Sequence, residues 1–271
     1  RRAVVSGRNA AAWRTVPQGR MRPDERVHAS GRDWFRAWFG DEYLAVYPHR
    51  DEREAEAAVR LFLQSVPPPP GAILDLACGA GRHLRELLKT GLHGVGLDLS
   101  MTLLARARES SPRAQLVRGD MRQLPFGDAR FAGLTSFFTS FGYFASRAED
   151  EQVVLEMRRV LEVGGSFMLD FLNSSRVRNG LVESETSLIQ GFEVSVRRSI
   201  VDDTVVKQIH LQPEDGSEGR SFVERVRLYE PRELEHLLSE AGLQTRSQFG
   251  DYRGAACSPD AERLIFAGTA V

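Results

Sequence analysis

A glycine loop and three spaced carboxylates carry the chemistry legible in this chain. The segment Leu74-Asp75-Leu76-Ala77-Cys78-Gly79-Ala80-Gly81-Arg82-His83 places glycines where an apolar run gives way to a helical pattern. Glycine at such a turn lets a ligand approach the backbone closely, and several kinds of nucleotide cofactor use loops of this type. Asp75 ends the apolar run. A carboxylate there repels a dinucleotide pyrophosphate and suits a cationic ligand without phosphate, such as one bearing a sulfonium and an ammonium. Asp98 follows the glycines by roughly 20 residues, where a carboxylate can take both hydroxyls of a ribose. Gly119-Asp120-Met121 comes next. Asp120 can accept a hydrogen bond from an adenine amino group, and Met121 can lie on the ring as a polarizable wall. Each feature also has a plain structural reading: turn geometry for the glycines, a helix cap or a solvated turn for either aspartate.

The elements that must position these residues can be read from pattern. Ala72–Leu76, Gly94–Asp98, Gln115–Val117, Phe131–Phe137 and Gly165–Phe171 read as strands. Arg82–Lys89, Met101–Glu109 and Asp150–Leu161 read as helices, with Gly91 as a C-terminal stop and Ser100 as an N-cap. Strands alternating with helices predict a parallel sheet covered on both faces. After Phe171 the rhythm changes. Ser187–Arg198, Thr204–Leu211 and Ser221–Tyr229 read as consecutive β segments of an antiparallel insert, with turn chemistry at Asp202-Asp203 and Glu214–Ser217. A helix over Pro231–Ala241 and strands near Leu243–Phe249 and Leu264–Gly268 close the chain. Before the loop, aromatics cluster at Trp34, Phe35, Trp38 and Phe39. A helical stretch through Ala55, Val59, Phe62 and Leu63 then stops at Pro67–Pro70.

The motif series resembles the class I S-adenosylmethionine (SAM)-dependent methyltransferases. Their nucleotide loop matches Leu74–Gly81, their ribose acid Asp98 within Gly96–Ser100, and their adenine-binding acid Asp120. Their motif after the fourth strand matches Phe131–Phe144, and their fifth-strand region Leu161–Phe167. The match runs in order over Gly71 to Phe171; it departs at Ala132, where many relatives carry Asp. The resemblance implies a Rossmann-like α/β fold: a seven-stranded, mostly parallel sheet with an antiparallel β insert at about 186–229 and an N-terminal helical lid over 31–70. The SAM-binding domain spans 71–271, and residues 1–30 form an unstructured extension. That extension carries Arg1, Arg2, Arg8, Arg14 and Arg20; a transit peptide and a mis-set start before Met21 are the other readings of it.

On the same resemblance, SAM is the cofactor and S-adenosylhomocysteine (SAH) the product. Asp75, Ala77, Cys78, Gly79, Gly81, Asp98, Leu99, Asp120, Met121, Phe137, Tyr47 and Arg50 are assigned to the cofactor. Tyr143, Ser140 and His49 are assigned to a small-molecule N or O acceptor. Phe137–Phe144 is read either as a pocket wall or as a helix start packed into the core. Tyr43, Tyr47, His49 and Arg50 form either a cover over SAM or a solvated helix start. Removal of residues through Arg50 is expected to weaken SAM binding and leave the fold largely intact. A hydroxyl acceptor usually needs a base, for which His49, Tyr143 and His210 are candidates by residue type, but none stands in a diagnostic motif, so no catalytic residue is assigned.

Composition bounds the rest. The 271 residues are 42% hydrophobic and 27% charged, with a net charge of -1, which suits one compact domain and not a generally basic nucleic-acid binder. Two cysteines, Cys78 and Cys257, make neither a disulfide framework nor a zinc site. No apolar stretch is long enough for a membrane span. A cytoplasmic enzyme with a small-molecule substrate, no nucleic-acid or membrane partner, no metal, and a homodimer contact through the insert is the resulting expectation. Two other classes are distinguishable by experiment: a SAM-binding regulatory or scaffold protein without methyl transfer, and a nicotinamide-dependent oxidoreductase, against which Asp75 and the absent third glycine argue.

Overall fold

The computed structural model describes residues 33–47 and 52–271; the arginine-bearing N-terminal extension, His49 and Arg50 lie outside them. Two short helices open the described chain, α1 (Trp34–Trp38) and α2 (Asp41–Val46), followed by α3 (Glu52–Ser65). The proline run then leads into β1 (Ala72–Leu76). α4 (Arg82–Lys89), β2 (His93–Asp98), α5 (Met101–Ser110), β3 (Gln115–Arg118), β4 (Phe131–Ser136), α6 (Arg147–Val160) and β5 (Leu161–Leu172) complete the alternating part. After α7 (Ser174–Asn179) come β6 (Ser184–Ile189), β7 (Phe192–Val201), β8 (Thr204–Pro213) and β9 (Arg220–Arg227), then α8 (Pro231–Glu240), β10 (Leu243–Phe249) and β11 (Arg263–Ala270).

The main sheet has seven strands in the order β3-β2-β1-β4-β5-β11-β10. All neighbours run parallel except β11, which is antiparallel to both β5 and β10. The order reverses between β1 and β4, the switch point at which open α/β sheets bind ligands beyond the strand ends. Strands β1 and β4 are buried almost throughout, as parallel strands covered on both faces must be. Gly96 in β2 is required by packing. A Cβ there would sit 2.8 Å from both Cys78 Sγ and Leu84 Cδ2, so glycine lets α4 and its loop lie against the sheet.

The Ser100 hydroxyl accepts the Leu103 amide and caps α5. Helix α6 begins three residues before the expected start, because Ser146 and Glu149 form a reciprocal capping box. The segment after β4 is irregular and not a helix start. The insert is a four-stranded antiparallel sheet, β6-β7-β8-β9. Here the expectation of one strand over Ser187–Arg198 is corrected. Gln190 and Gly191 both take left-handed φ, 48° and 81°, and split it into a hairpin. Asp202-Asp203 turns the next pair in the same way.

One core joins these parts. Trp34 and Trp38 of α1 pack in the same cluster as Leu74 and Leu134 of the main sheet and Val194 and Ile209 of the insert. Among the described residues no helix is long and apolar enough to cross a membrane, and both cysteines are free thiols.

Candidate active site

The loop leaving β1 turns sharply. Ala77, Gly79 and Gly81 have φ of 58°, 54° and 77°, left-handed values that only glycine adopts without strain. Asp98, at the end of β2, fixes this turn from the side. Its Oδ2 accepts the Gly79 amide at 2.8 Å and its Oδ1 the Ser100 amide at 2.8 Å. Burial pushes the Asp98 carboxyl up, and these amides hold the rise back. Each oxygen keeps acceptor capacity toward a further donor.

Asp75 lies one layer deeper. It is 1% exposed; its Oδ1 accepts from the Thr135 hydroxyl at 3.2 Å, while Oδ2 has no hydrogen-bond partner. Burial pushes its pKa up to about 7 against the pull of the Thr135 hydrogen bond. Unfolded, the group ionises near its ordinary 3.8. Its proton therefore stabilises the folded chain fully below about pH 4, and that contribution is lost as pH rises toward 7. Between pH 5 and 7 the folded state binds roughly one more proton, which at about 1.4 kcal/mol per pH unit is on the order of 2 kcal/mol. Asp75→Asn is expected to remove that slope. In chemical denaturation of the unliganded protein, the stability of the variant relative to the parent should rise from pH 5 to pH 7. Parallel pH profiles would contradict this.

Asp120 is tied differently. Arg122 donates to it through its amide and through Nε, both at 3.0 Å, and through Nη2 at 2.7 Å, and Arg36 approaches at 3.6 Å. Partial burial works to raise its pKa, but the Arg122 hydrogen bonds prevail and hold it below the usual carboxylate range. The resemblance assigns Asp120 to the cofactor; the structure shows most of its acceptor capacity already engaged by Arg122.

Two cavities meet at the switch point. The first, of about 830 Å³, is lined by Ala77, Cys78, Gly79, Asp98, Leu99, Asp120, Met121, Phe137, Tyr47, Ser140 and Tyr143 from the sequence expectations. Asp75 and Gly81 are not on its wall; a Cβ on Gly81 would lie 2.9 Å from Ala107 Cβ, so Gly81 packs the loop onto α5. The second, of about 890 Å³, lies between the post-β4 segment and the insert, with Lys207, Glu224, Arg198 and Glu185 among its walls. Both volumes fall in the range of small-molecule sites. Five residues line both cavities: Phe39, Tyr43, Tyr47, Phe138 and Tyr143. Four of these rings are in contact, with Phe39 stacked on Tyr143 at 5.7 Å between centroids, and Tyr43 edge-on to Phe39 at 4.9 Å and to Tyr47 at 5.2 Å.

Ser140, expected on the acceptor side, lines only the first cavity, and its hydroxyl donates to the Phe137 carbonyl at 3.0 Å. His210 lines neither cavity; its Nδ1 lies 3.0 Å from the Ser221 hydroxyl on the neighbouring strand. It therefore does not reach either chamber as a base. Sequence reasoning missed Phe39, Arg82, Lys207 and Glu224, and held Phe138 only within the Phe137–Phe144 segment read as a pocket wall or a packed helix start. Arg82 directly follows the glycine loop and could have been named. Lys207 and Glu224 could not, because they reach the site only through the hairpin register of the insert. There Lys207 Nζ donates to the Tyr47 hydroxyl and lies 3.5 Å from Glu224 Oε2. Burial pulls its pKa below the usual lysine value despite Glu224.

Comparison with known proteins fits this geometry. Residues 73–165 match the family model described as a methyltransferase domain. The dTDP-3-amino-3,4,6-trideoxy-alpha-D-glucopyranose N,N-dimethyltransferase of Streptomyces venezuelae is 30% identical over 223 residues, covering 80% of this chain and 90% of the relative. The dTDP-3-amino-3,6-dideoxy-alpha-D-glucopyranose N,N-dimethyltransferase of Streptomyces fradiae is 28% identical, covering 76% and 81%. The sugar N-methyltransferase KedS8 of Streptoalloteichus sp. superposes with a TM-score of 0.69 at 23% identity, over 93% of this chain and 99% of that one, a likeness of fold. The readings of a binding module without transfer and of an oxidoreductase are thereby set aside. The loop, the strand order and this degree of kinship over most of both chains lead to one family, and the chain belongs to the class I SAM-dependent methyltransferases, enzymes that move the SAM methyl group to an acceptor, here a small molecule.

Proposed function

We propose that this enzyme methylates the amine of an amino sugar carried on a nucleotide, with SAM in the first cavity and the acceptor in the second. The observation that supports this reading is the shared rim. Two ligand-sized cavities that share five aromatic lining residues adjoin one another, so that ligands entering from either side can meet at that common rim for an in-line transfer. Both curated relatives described above act on dTDP-linked 3-amino sugars.

The residues of the first cavity fit SAM. Asp98 has acceptor capacity for the ribose hydroxyls, the Cys78–Gly79 backbone lies open to the ligand, and Met121 with Leu99 offers apolar contact to the adenine. Asp120 takes the adenine amino group with whatever acceptor capacity Arg122 leaves it. Asp75 lies behind the loop and not on the wall, and its buried Oδ2 has no hydrogen-bond partner; it bears on the cofactor only as a carboxyl beneath the cavity floor. When bound, SAM supplies an electrophilic methyl group on a sulfonium. The chain must orient the acceptor and exclude water, and much of the acceleration of such a displacement comes from orientation.

A neutral amine acceptor needs no strong base. Tyr143 and Tyr47 stand on both walls and can hold the amine at the boundary. Glu54, Glu185, Glu224 and Glu262 line the second cavity beside Arg176, Arg198, Lys207 and Arg263, charges of both signs that suit a ligand carrying an amine and a diphosphate. The cover over SAM is assigned to α1, α2 and the residues that end them, with Tyr43 of α2 and the flanking Phe39 and Tyr47 lining the first cavity. The test is incubation with SAM and either dTDP-3-amino-3,6-dideoxyglucose or dTDP-glucose, followed by mass spectrometry. Methyl addition to the amino sugar alone, with SAH formed in step, is the expected result. Methylation of dTDP-glucose at an equal rate would place the enzyme among hydroxyl methyltransferases.

A further inference from the structure

One buried cluster has no part in the roles given so far. Asp170, on β5, is fully buried. It accepts the Phe138 amide at 2.6 Å, Arg263 Nε at 2.8 Å and Arg263 Nη2 at 2.9 Å, and the Tyr252 hydroxyl also donates to it. Arg263 Nη2 donates to Thr139 Oγ1 at 2.8 Å, and the Thr139 amide donates to the Asp170 carbonyl at 3.1 Å. All these bonds converge on Phe138-Thr139, two consecutive non-glycine residues with φ of 62° and 60°. Left-handed backbone at such residues persists only where the surroundings over-determine it. The Phe138 ring is also flanked by cations. The Arg82 guanidinium lies 4.8 Å from its centroid and that of Arg263 5.2 Å. Arg82 lines the first cavity, Arg263 the second, and Phe138 both.

We propose that Asp170, Arg263 and Tyr252 form a positioning unit that holds the Phe138 ring on the rim shared by the cofactor and acceptor chambers. Arg263 and Tyr252 act through Phe138 and not on either ligand. The proposal rests on the assignment of the two cavities made above. Its physical basis is that in-line transfer tolerates little misplacement of the acceptor. A planar, forked guanidinium can serve Asp170 and Thr139 together, which a lysine ammonium on a flexible stem cannot.

Two variants test it in the full-length chain. Tyr252→Phe keeps the ring and loses the bond to Asp170; Arg263→Lys keeps the charge and loses the fork. In the unliganded protein both should speed amide exchange at Phe138 and Thr139 by about tenfold or more and leave α4 and α5 unchanged. SAH affinity by calorimetry should stay within about threefold, while kcat on dTDP-3-amino-3,6-dideoxyglucose falls about tenfold or more. The double variant Phe138→Ala/Arg263→Lys should be no slower than Phe138→Ala alone, because residues acting as one unit are not additive. Unchanged exchange at Phe138 and Thr139 in both variants would overturn the proposal. So would multiplication of the two effects in the double variant, which would mean that Arg263 acts on a ligand directly. If no amino sugar is methylated by the parent enzyme, the acceptor assignment is wrong, and the exchange measurement still decides whether the unit holds the Phe138 segment.

Discussion

Replacing Asp98 by alanine is expected to weaken SAM binding on the order of 100-fold, about 3 kcal/mol. Two losses combine. The proposed ribose hydroxyls lose a charged acceptor, and the Gly79 and Ser100 amides lose the carboxylate that now holds them at 2.8 Å each. The loop that forms the cofactor floor is therefore loosened before the ligand arrives. SAH should lose affinity by the same factor, because the ribose is common to both. Asp98→Asn keeps an acceptor and should cost less. Since burial has already raised the Asp98 carboxyl, its removal relieves a desolvated charge, and thermal stability should fall far less than affinity. Isothermal calorimetry reads the first effect and a melting curve the second; unchanged affinity would remove Asp98 from the site.

Trp38→Ala is expected to cost about 3–5 kcal/mol of stability, as large-to-small changes at fully buried aromatics do, and to lower Tm on the order of 10 °C in a chain of this size. Trp38 is 0% exposed. Its ring lies 4.8 Å from Phe222 of β9 and 5.7 Å from Tyr43, and its indole N–H donates to Glu224. One side chain thus ties α1, α2 and the insert together. The same packing revises the expectation that removal through Arg50 spares the fold, since that removal also takes Trp34 and Trp38 out of the common core. Calorimetric scanning of Trp38→Ala and Trp38→Phe should rank them in that order. A Trp38→Ala protein as stable as the parent would show that α1 is a loose cover after all.

What the chain discloses before folding is its local chemistry. The glycine loop, the Ser100 cap and the proline at the start of α8 are fixed by a few neighbouring residues, so their positions were legible. The Ser146/Glu149 box was equally local and shows that α6 could have been started correctly. The hairpin at Gln190-Gly191 was hidden because a β pattern runs through it and glutamine is a weak turn residue beside asparagine or aspartate. The site divides along the same line. Asp98 and Asp120 are near in sequence to the elements that place them. Lys207, Glu224, Asp170 and Arg263 meet only because β8 pairs with β9 and β11 pairs with β5, a register that no short window of sequence encodes. Asp75 was legible as a carboxylate at the right place, but its depth beneath the loop follows from packing.

The central claim is that cofactor and acceptor enter from separate chambers and meet where the two chambers share their aromatic rim. A crystal structure of the complex with SAH and dTDP-3-amino-3,6-dideoxyglucose tests it most directly. The account predicts the ribose on Asp98, the sulfur in the chamber lined by Gly79 and Met121, and the amine nitrogen in the chamber lined by Lys207 and Glu224. The line between sulfur and nitrogen should run beside the rings of Phe138 and Tyr143, with no ring between the two atoms. An acceptor bound in the same chamber as the adenosine, with the Lys207 chamber holding only water, would contradict it.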